Sequence, residues 1–420
     1  MFASLLLILI YISFISLGLQ DSLFGAAWPS MYNSLNVPLS YAGIISMIGS
    51  AGTVIATIFS VYVIRRLKSG IAVTLSVIFT ATALLGFSLS HSFIFLCICA
   101  VPLGLGSGSI DAALNNYVAL NYKARHMSWL HCFWGVGASL GPLIMSWFLT
   151  HKNSWQEGYR TVSAIQYGLI ILLIISIPLW KKVSSLNAPH LQNAIKPEGN
   201  PDVPQTHSSQ ITGESTQERN NSVDFKKILS IAGVKEILLA FFCYCAIELV
   251  TGIWGASYLV AEKGVDAQTA ARWISFFYIG ITAGRFLSGF LTIKFNNRQM
   301  VSLGQIVIAG GIIIFILPFA DLTLLPGLFL IGLGCAPIFP SLLHETPANF
   351  GRENSQAIVG IQMGCAYIGN TVMPPLFGWI SSYAGFKIFP LFTGIMLIIN
   401  IIMTGLLNRK VDKAKNNNAV

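Results

Sequence analysis

The sequence predicts an all-α membrane protein, and three features lead to that fold class. Hydrophobic residues make up 54% of the 420 residues and charged residues only 10%, whereas a soluble protein carries about 25% charged residues. Apolar stretches of about 20 residues, each long enough to cross about 30 Å of hydrocarbon as a helix, follow one another along the chain. Twelve of them can be placed, six on each side of a long polar segment. We therefore expect a polytopic protein of twelve transmembrane helices in two parallel six-helix bundles.

Basic residues are concentrated in alternate loops. The net charge is +9, and the Lys and Arg residues follow the second, fourth, sixth, eighth and twelfth stretches: Arg65, Arg66, Lys68, Lys123, Arg125, Lys181, Lys182, Lys294, Arg298, Arg409 and Lys410. This is the positive-inside pattern, which predicts that both termini lie in the cytoplasm. We expect a multi-pass protein of the plasma (inner) membrane. The pattern accounts for the positive charge without a nucleic-acid partner.

The polar segment divides the chain into its expected parts. Residues 1–182 are predicted to form the N-terminal bundle, 183–229 a cytoplasmic linker, 230–410 the C-terminal bundle and 411–420 a cytoplasmic tail. The linker is rich in Pro, Ser, Asn, Gln and Thr and should be mostly disordered, with a short surface helix near residues 225–229. The seven cysteines fall inside predicted spans, where they indicate packing rather than disulfides or a metal site. We expect a monomer.

The two halves show a weak internal repeat at a shift of 227 or 228 residues. In the first and seventh spans, Asp21 and Gly25 correspond to Glu248 and Gly252, and Trp28 corresponds to Trp254 within one residue of that shift. In the fourth and tenth spans, Gly104 and Gly106 correspond to Gly332 and Gly334. Six spans per half is an even number, so both halves enter the membrane from the same side. Such parallel repeats predict a solute site near the membrane midplane, between the halves.

Four motifs carry a family resemblance: GLGSGSIDAALNNYVA (104–119), LHCFWGVGASLGP (130–142), CAIELVTGIWGASYLV (245–260) and GLGCAPIFPSLL (332–343). With these motifs the chain, apart from its linker and tail, resembles the major facilitator superfamily, and within it the fucose–galactose–glucose:proton symporter group. The resemblance implies a carrier that works by alternating access and takes up a sugar with protons. The chain departs from the superfamily after the second span, where Arg65, Arg66 and Lys68 remain but the usual acidic residue is missing.

Three acidic residues lie inside predicted spans. Asp21 is in the outer part of the first span, Glu248 is near the middle of the seventh, and Asp111 lies one turn from Asn115 in the fourth. A charged residue at the centre of a membrane costs about 2.5–3.5 kcal/mol on insertion scales, so such residues usually serve a function. We expect the acids to bind solute hydroxyls and protons, the alternative being structural hydrogen bonds to neighbouring helices.

Three further ionisable residues are candidates for proton transfer or gating. His131 begins the fifth span and can relay protons with Asp111, or it can be an ordinary interfacial histidine. Arg285 is the only arginine deep inside a span. Its position suits a gate contact, for which Glu345 at the end of the tenth span is the candidate partner.

Aromatic and amide side chains are candidates for lining the solute cavity: Trp134, Trp254, Tyr258, Gln362 and Asn370. Sugars offer apolar C–H faces to aromatic rings and hydroxyls to amides. No basic residue lies deep in the first six spans, whereas a carrier of carboxylates or phosphate esters would place Arg or Lys at its site. These residues therefore favour a neutral polyol or sugar.

The sequence offers no motif for catalysis. It has no phosphate-binding Gly-Lys-Ser/Thr loop and no clustered Cys and His metal set, so we expect no enzymatic activity, no cofactor and an ion gradient as the energy source. The family resemblance implies that this is a proton gradient. Two alternatives remain open. A drug or metabolite:proton antiporter is suggested by Gly137, Gly141 and Pro142, although Met145 and Ser146 replace the Gly-Gly expected after them. A receptor or scaffold that transports nothing is the other.

Overall fold

The computed structural model describes residues 2–122, 124–195, 225–317 and 320–417, and these residues are helical apart from short turns. The helices, in chain order, are Phe2–Ser34 (α1), Ala42–Leu67 (α2), Ser69–Leu89 (α3), Phe93–Asn121 (α4), Ala124–Lys152 (α5), Trp155–Ile195 (α6), Phe225–Ser230 (α7), Val234–Lys263 (α8), Ala267–Leu291 (α9), Asn297–Ile316 (α10), Ala320–Cys335 (α11), Ile338–Phe350 (α12), Arg352–Ala384 (α13) and Phe389–Asn417 (α14). Two 3₁₀ turns, Leu39–Tyr41 and Phe386–Ile388, precede α2 and α14.

The predicted fold class is confirmed. In the described part of the chain, 11 helical segments are long and apolar enough to cross a membrane, and α11 and α12 together form one of them. The remaining long helix, α13, has 33 residues and contains Pro374 and Pro375. It is long enough to cross a membrane, but its polar residues make it less apolar than the others.

The helices form two bundles, which we call the N-half (α1–α6) and the C-half (α8–α14). In the N-half α1 packs on α5, α2 on α4, and α3 on α4 and α6; in the C-half α8 packs on α13 and α14, and α11 on α9 and α10. Glycines allow the closest crossings. Gly18 lies directly against the backbone of Trp134, and Gly137 lies against that of Ile15, so that α1 and α5 approach as closely as small residues permit.

Four helix pairs of the described residues pack across the halves: α1 with α8, α1 with α9, α2 with α13, and α5 with α9. We call the surface between the halves the seam. The start of α1 and the end of α14 lie at one end of the bundle, where Tyr122 donates a hydrogen bond to the Ala3 carbonyl (2.9 Å) and Lys410 pairs with Glu236 (2.6 Å). We call this end the terminal face and the other end the opposite face.

Helix α6 extends into the segment that the sequence predicts to be the linker. Helix α6 continues to Ile195, past the expected end of the N-terminal bundle at residue 182. The short helix α7 lies where a surface helix near residues 225–229 is expected. The rest of the predicted linker, residues 196–224, and the last residues of the predicted tail, 418–420, lie outside the described residues.

Candidate functional site

The seam is closed at the opposite face by direct backbone packing between the halves. Gly25 of α1 lies against the carbonyl of Gly252 of α8. A Cβ added to Gly43 of α2 would lie 2.5 Å from the Cα of Pro375 in α13, inside the normal carbon–carbon contact distance of about 3.5–4.0 Å. Helices this close leave no room for water or solute, and we call these contacts the seal.

Towards the terminal face α4 and α12 part from the other half, whereas α5 and α9 stay in contact there, with 6.3 Å between the ring centres of Trp129 and Phe286. In the described part of the chain, α4 and α12 make no extensive packing contact with the other half. The Asp21 side chain, in the interior of α1, is exposed. The Glu248 side chain retains 21% of its accessible surface. The seam is therefore open towards the terminal face and ends at the seal.

Asp21 and Glu248 hold equivalent places beneath the seal. Each acid precedes a sealing glycine, Gly25 or Gly252, by four residues, which is about one helical turn or 6 Å. Tyr278 of α9 lies near both of them, since its hydroxyl group interacts electrostatically with both carboxylates. The internal repeat therefore places one carboxylate from each half at the inner end of the open seam.

Trp134 holds the Asp21 carboxylate from within the N-half. The indole Nε1 donates a hydrogen bond to Asp21 Oδ2 over 2.9 Å. The contact depends on the close crossing of α1 and α5, where Gly18 packs on the Trp134 backbone. Asp21 thus has a fixed donor on one side and open space on the other, which suits a group that receives hydroxyls or protons from the seam.

Asp111 and Asn115 face each other on α4. Asn115 Nδ2 donates to Asp111 Oδ1 over 2.9 Å, and both side chains are half-buried. The Asp111 carboxylate also interacts electrostatically with Asp21 and with Arg285 of the C-half. One turn earlier, Ser107 accepts a 2.6 Å hydrogen bond from the Gln20 amide of α1. The predicted pair therefore lies on the N-half wall of the seam, near Asp21.

Arg285 reaches from the C-half across the seam. Its Nη1 donates to the His131 carbonyl over 3.2 Å, its guanidinium carbon lies 4.7 Å from the centre of the Trp134 ring, and its Nη2 lies 3.9 Å from Glu248 Oε1. Tyr244, one turn before Glu248, donates a hydrogen bond to the other carboxylate oxygen. Arg285 is therefore a cation placed among carboxylates of both halves.

Three residues expected to line the cavity are packed into the C-half instead. Trp254 has no exposed surface and donates a 3.0 Å hydrogen bond to the Pro374 carbonyl. Tyr258 is 4% exposed and packs on Phe315 and Phe389. Gln362 has no exposed surface and accepts a hydrogen bond from Thr346 over 2.9 Å. In this conformation they fill space between helices, so their positions do not indicate a direct contact with the solute.

Asn370 and His131 do lie at the seam, where their backbone carbonyls accept hydrogen bonds from the other half. The Asn370 carbonyl accepts a long hydrogen bond of 3.4 Å from Ser50 of α2, and its side chain is half-buried. The His131 carbonyl receives Arg285, while its ring packs edge-on against Phe14 with 5.9 Å between ring centres. The proton relay between His131 and Asp111 remains a prediction.

The expected partner of Arg285 is engaged elsewhere. Glu345 of α12 lies 3.0 Å from Arg298 Nε, and the same guanidinium forms a two-pronged contact with Asp412 of α14 over 2.8 and 2.9 Å. These three charges join α10, α12 and α14 at the terminal face of the C-half. The pairing of Arg285 with Glu345 is therefore wrong in this conformation, because Arg298 lies closer to Glu345 and Glu248 closer to Arg285.

Several polar residues of the interior escaped the sequence analysis. Tyr244 could have been found, because it lies four residues before Glu248 and so shares its helix face. Gln166 of α6 donates to Gln20 over 2.8 Å and accepts from Thr80 over 2.9 Å, and no sequence spacing connects these three helices. In the described residues, no group of His, Cys, Asp and Glu could hold a metal ion.

Two helix bundles that meet at a polar seam, closed at one end and open at the other, define a membrane carrier. The chain belongs to the Major Facilitator Superfamily, whose family model matches residues 10–230 and 237–420. It is a multi-pass membrane transporter and not an enzyme.

Two curated proteins are similar to this chain in sequence, at low identity. Bypass of stop codon protein 6 of Saccharomyces cerevisiae is 23% identical over 402 residues, covering 92% of this chain and 79% of that protein. The glucose/mannose transporter GlcP of Bacillus subtilis is 22% identical over 373 residues, covering 88% and 86%.

Solved structures share its fold. An inward-facing, unoccupied bacterial homologue of the human lysosomal transporter Spinster superposes with a TM-score of 0.69 at 13% identity, covering 98% of this chain and 97% of that one. The nucleoside transporter NupG superposes with a TM-score of 0.69 at 12% identity, covering 96% and 98%. At such identities the likeness extends to the fold alone.

Proposed function

We propose that this transporter couples the uptake of a sugar, or a similar small neutral polar solute, to proton movement by alternating access. The observation that carries the proposal is the placement of Asp21 and Glu248 one turn beneath the Gly25–Gly252 seal, with Asp21 exposed to the open seam. Rocking of the halves about this point would close the seam at the terminal face and open it at the opposite face.

The carboxylates support protons as the coupling ion. Ionised carboxylates are costly inside a membrane unless they have water or a cationic partner. Asp111 and Glu248 share one guanidinium, that of Arg285, whereas Asp21 accepts a hydrogen bond from the neutral Trp134 indole. Proton binding is therefore the simplest way to neutralise the remaining carboxylates when the seam excludes water. The same carboxylates can then take up protons at one face and release them at the other.

The N-half wall of the seam supports a neutral polyhydroxyl solute. Asp21 offers a hydrogen-bond acceptor, Asn115 an amide, and Trp134 an aromatic ring next to both the carboxylate and the seam. The relative from Bacillus subtilis is named a glucose/mannose transporter, which makes hexoses the first solutes to test. The positively charged loops support cytoplasmic termini in a plasma (inner) membrane, and we propose a monomer that binds no nucleic acid.

Transport by the purified full-length protein in proteoliposomes tests the proposal. We expect radiolabelled D-glucose to accumulate when the side of uptake is made acidic, and a proton-conducting ionophore to abolish that accumulation. Unlabelled sugars should compete, whereas amino acids and cationic drugs should not. Competition by drugs, together with accumulation only against an opposite pH gradient, would instead establish an antiporter.

A further inference from the structure

We propose that Arg285 is a positioning residue that takes the place of the bound proton when the carrier is empty. In this proposal its guanidinium compensates the ionised Glu248 while solute and proton are absent, so that the empty carrier can return across the membrane. The inference rests on the proposed proton coupling and assigns one residue to one step of the cycle.

The contacts of Arg285 are those of a cation that can move. An Arg–carboxylate pair with full hydrogen bonding has N···O distances of about 2.7–2.9 Å, whereas Arg285 Nη2 is 3.9 Å from Glu248. The Arg285 side chain keeps 24% of its accessible surface. Its one hydrogen bond given by the structure is to the His131 carbonyl of the other half. The guanidinium is thus held near Glu248 without being locked to it.

Arg285 also covers the ring that a solute would use. Its guanidinium lies over the face of Trp134 at 4.7 Å from the ring centre, and the edge of the same ring donates to Asp21. A sugar that stacked on this face would have to displace the guanidinium. Solute binding at Trp134 therefore competes with the position from which Arg285 compensates Glu248, and a proton on Glu248 takes over that compensation.

Titratable groups from both halves surround Glu248 and Arg285. The titratable and charged groups that face Glu248 or Arg285 are Tyr244 and Cys245 on α8, Tyr278 on α9, Cys335 at the end of α11, and Asp111, His131 and Cys132 across the seam. Asp111 is the one acid in this set and lies in the other half. It gives Arg285 a second carboxylate to approach when a solute occupies Trp134.

A comparison of exchange with net uptake tests the assignment. Counterflow of D-glucose exchanges solute for solute and does not need the empty carrier to return, whereas net uptake does. We expect Arg285→Gln to lower net uptake by about tenfold or more, since the carboxylate of Glu248 loses its counter-charge, and to leave counterflow within about twofold of wild type. Arg285→Lys should restore part of the net uptake, because it keeps the charge but not the planar stacking.

A second change separates this role from a structural one. Glu248→Gln added to Arg285→Gln removes the charge that needs compensation, so we expect the double variant to regain net downhill uptake without proton coupling. Arg272→Gln, on the same helix with an exposed side chain, is the matched control and should change neither assay. Equal losses of counterflow and net uptake in Arg285→Gln, or no recovery in the double variant, would overturn the proposal.

Hydrogen–deuterium exchange keeps the proposal testable without any solute. In empty Arg285→Gln, the Glu248 carboxylate has no counter-charge, so the variant should stay open at the terminal face. The ends of α4 and α12 should then exchange faster than in wild type, and adding Glu248→Gln should remove the difference. Equal exchange in Arg285→Gln and wild type would contradict the role of Arg285, whereas a wild type that fails to transport sugar would contradict only the proposed solute.

Discussion

Replacing Gly43 by alanine should open the seal at the opposite face. The added Cβ would lie 2.5 Å from Pro375 Cα, 3.1 Å from Pro375 Cβ and 3.2 Å from Pro375 N. The nearest of these atoms is backbone and cannot rotate away. Since carbon atoms pack at about 3.5–4.0 Å, α2 and α13 must part by about 1 Å at this point.

The cost of that contact gives the size of the effect. Overpacking by a methyl group costs about 1–3 kcal/mol, and here the strain exists only while the opposite face is closed. A free-energy change of that size shifts a conformational equilibrium by about 5- to 150-fold. Gly43→Ala should therefore populate a conformation that is open at the opposite face and closed at the terminal face.

Two other glycines provide matched controls. Gly106 packs within the N-half, where an added Cβ would lie 2.5 Å from Thr80 Cγ2 and 2.7 Å from the Ser76 carbonyl oxygen. Its replacement by alanine should lower the melting temperature without shifting the conformational equilibrium. Gly168 has no atom within 4 Å of an added Cβ, and its replacement should change neither property.

Hydrogen–deuterium exchange on the full-length protein in nanodiscs measures the shift. In Gly43→Ala we expect the 3₁₀ turn Leu39–Tyr41 and the end of α13 to exchange faster than in wild type, and the ends of α4 and α12 to exchange more slowly. Unchanged exchange at the seal in a folded Gly43→Ala protein would refute the reasoning. The same pattern in Gly106→Ala would do so as well.

Three further predictions concern contacts away from the seam. Asp266 caps α9 by accepting a hydrogen bond from the Thr269 N–H over 2.8 Å. Slight burial raises the pKa of the Asp266 carboxyl, but the hydrogen bonds from Thr269 outweigh this effect, so that the pKa lies below its ordinary value. Asp266→Ala should lower the free energy of unfolding by about 1 kcal/mol, measured in thermal melts. This loss should be complete above the ordinary pKa of an aspartate and should disappear as the pH falls through the lowered pKa of Asp266. Arg298→Gln should lower the stability of the C-half by about 1 kcal/mol or less, because the contact is partly exposed. This loss, measured in thermal melts, should be smaller in high salt. Gln166→Leu should destabilise the N-half by about 0.6–2 kcal/mol in melts, whereas both transport assays should keep wild-type solute preference.

The sequence predicts the main features of the fold because apolar length alone decides which segments cross a membrane. It also predicts the positions of Asp21 and Glu248 at the seam, since a repeat that pairs these acids also pairs Gly25 with Gly252. Two equivalent glycines that meet at the contact between the halves bring their preceding acids together. A rare acid and a small residue one turn apart are features that a single sequence can reveal.

Side-chain direction within the C-half could not be predicted in the same way. Helix α8 is buried around most of its circumference, so its apolar residues do not mark one face, and the pattern cannot separate Trp254 and Tyr258 in the packed interior from Glu248 at the seam. Ion-pair partners are equally hidden. Arg298 and Glu345 are 47 residues apart in sequence, and only the folded positions of α10 and α12 decide that they meet.

The most direct test of the account is to count protons and solute together in proteoliposomes that hold wild type or Glu248→Gln. An internal pH dye and radiolabelled D-glucose report the two fluxes in the same vesicles. We predict that wild type acidifies the vesicle interior as it takes up glucose, whereas Glu248→Gln still exchanges glucose but moves no protons. If the proton flux in Glu248→Gln were as large as in wild type, this would contradict the claim that the carboxylates beneath the seal couple protons to transport.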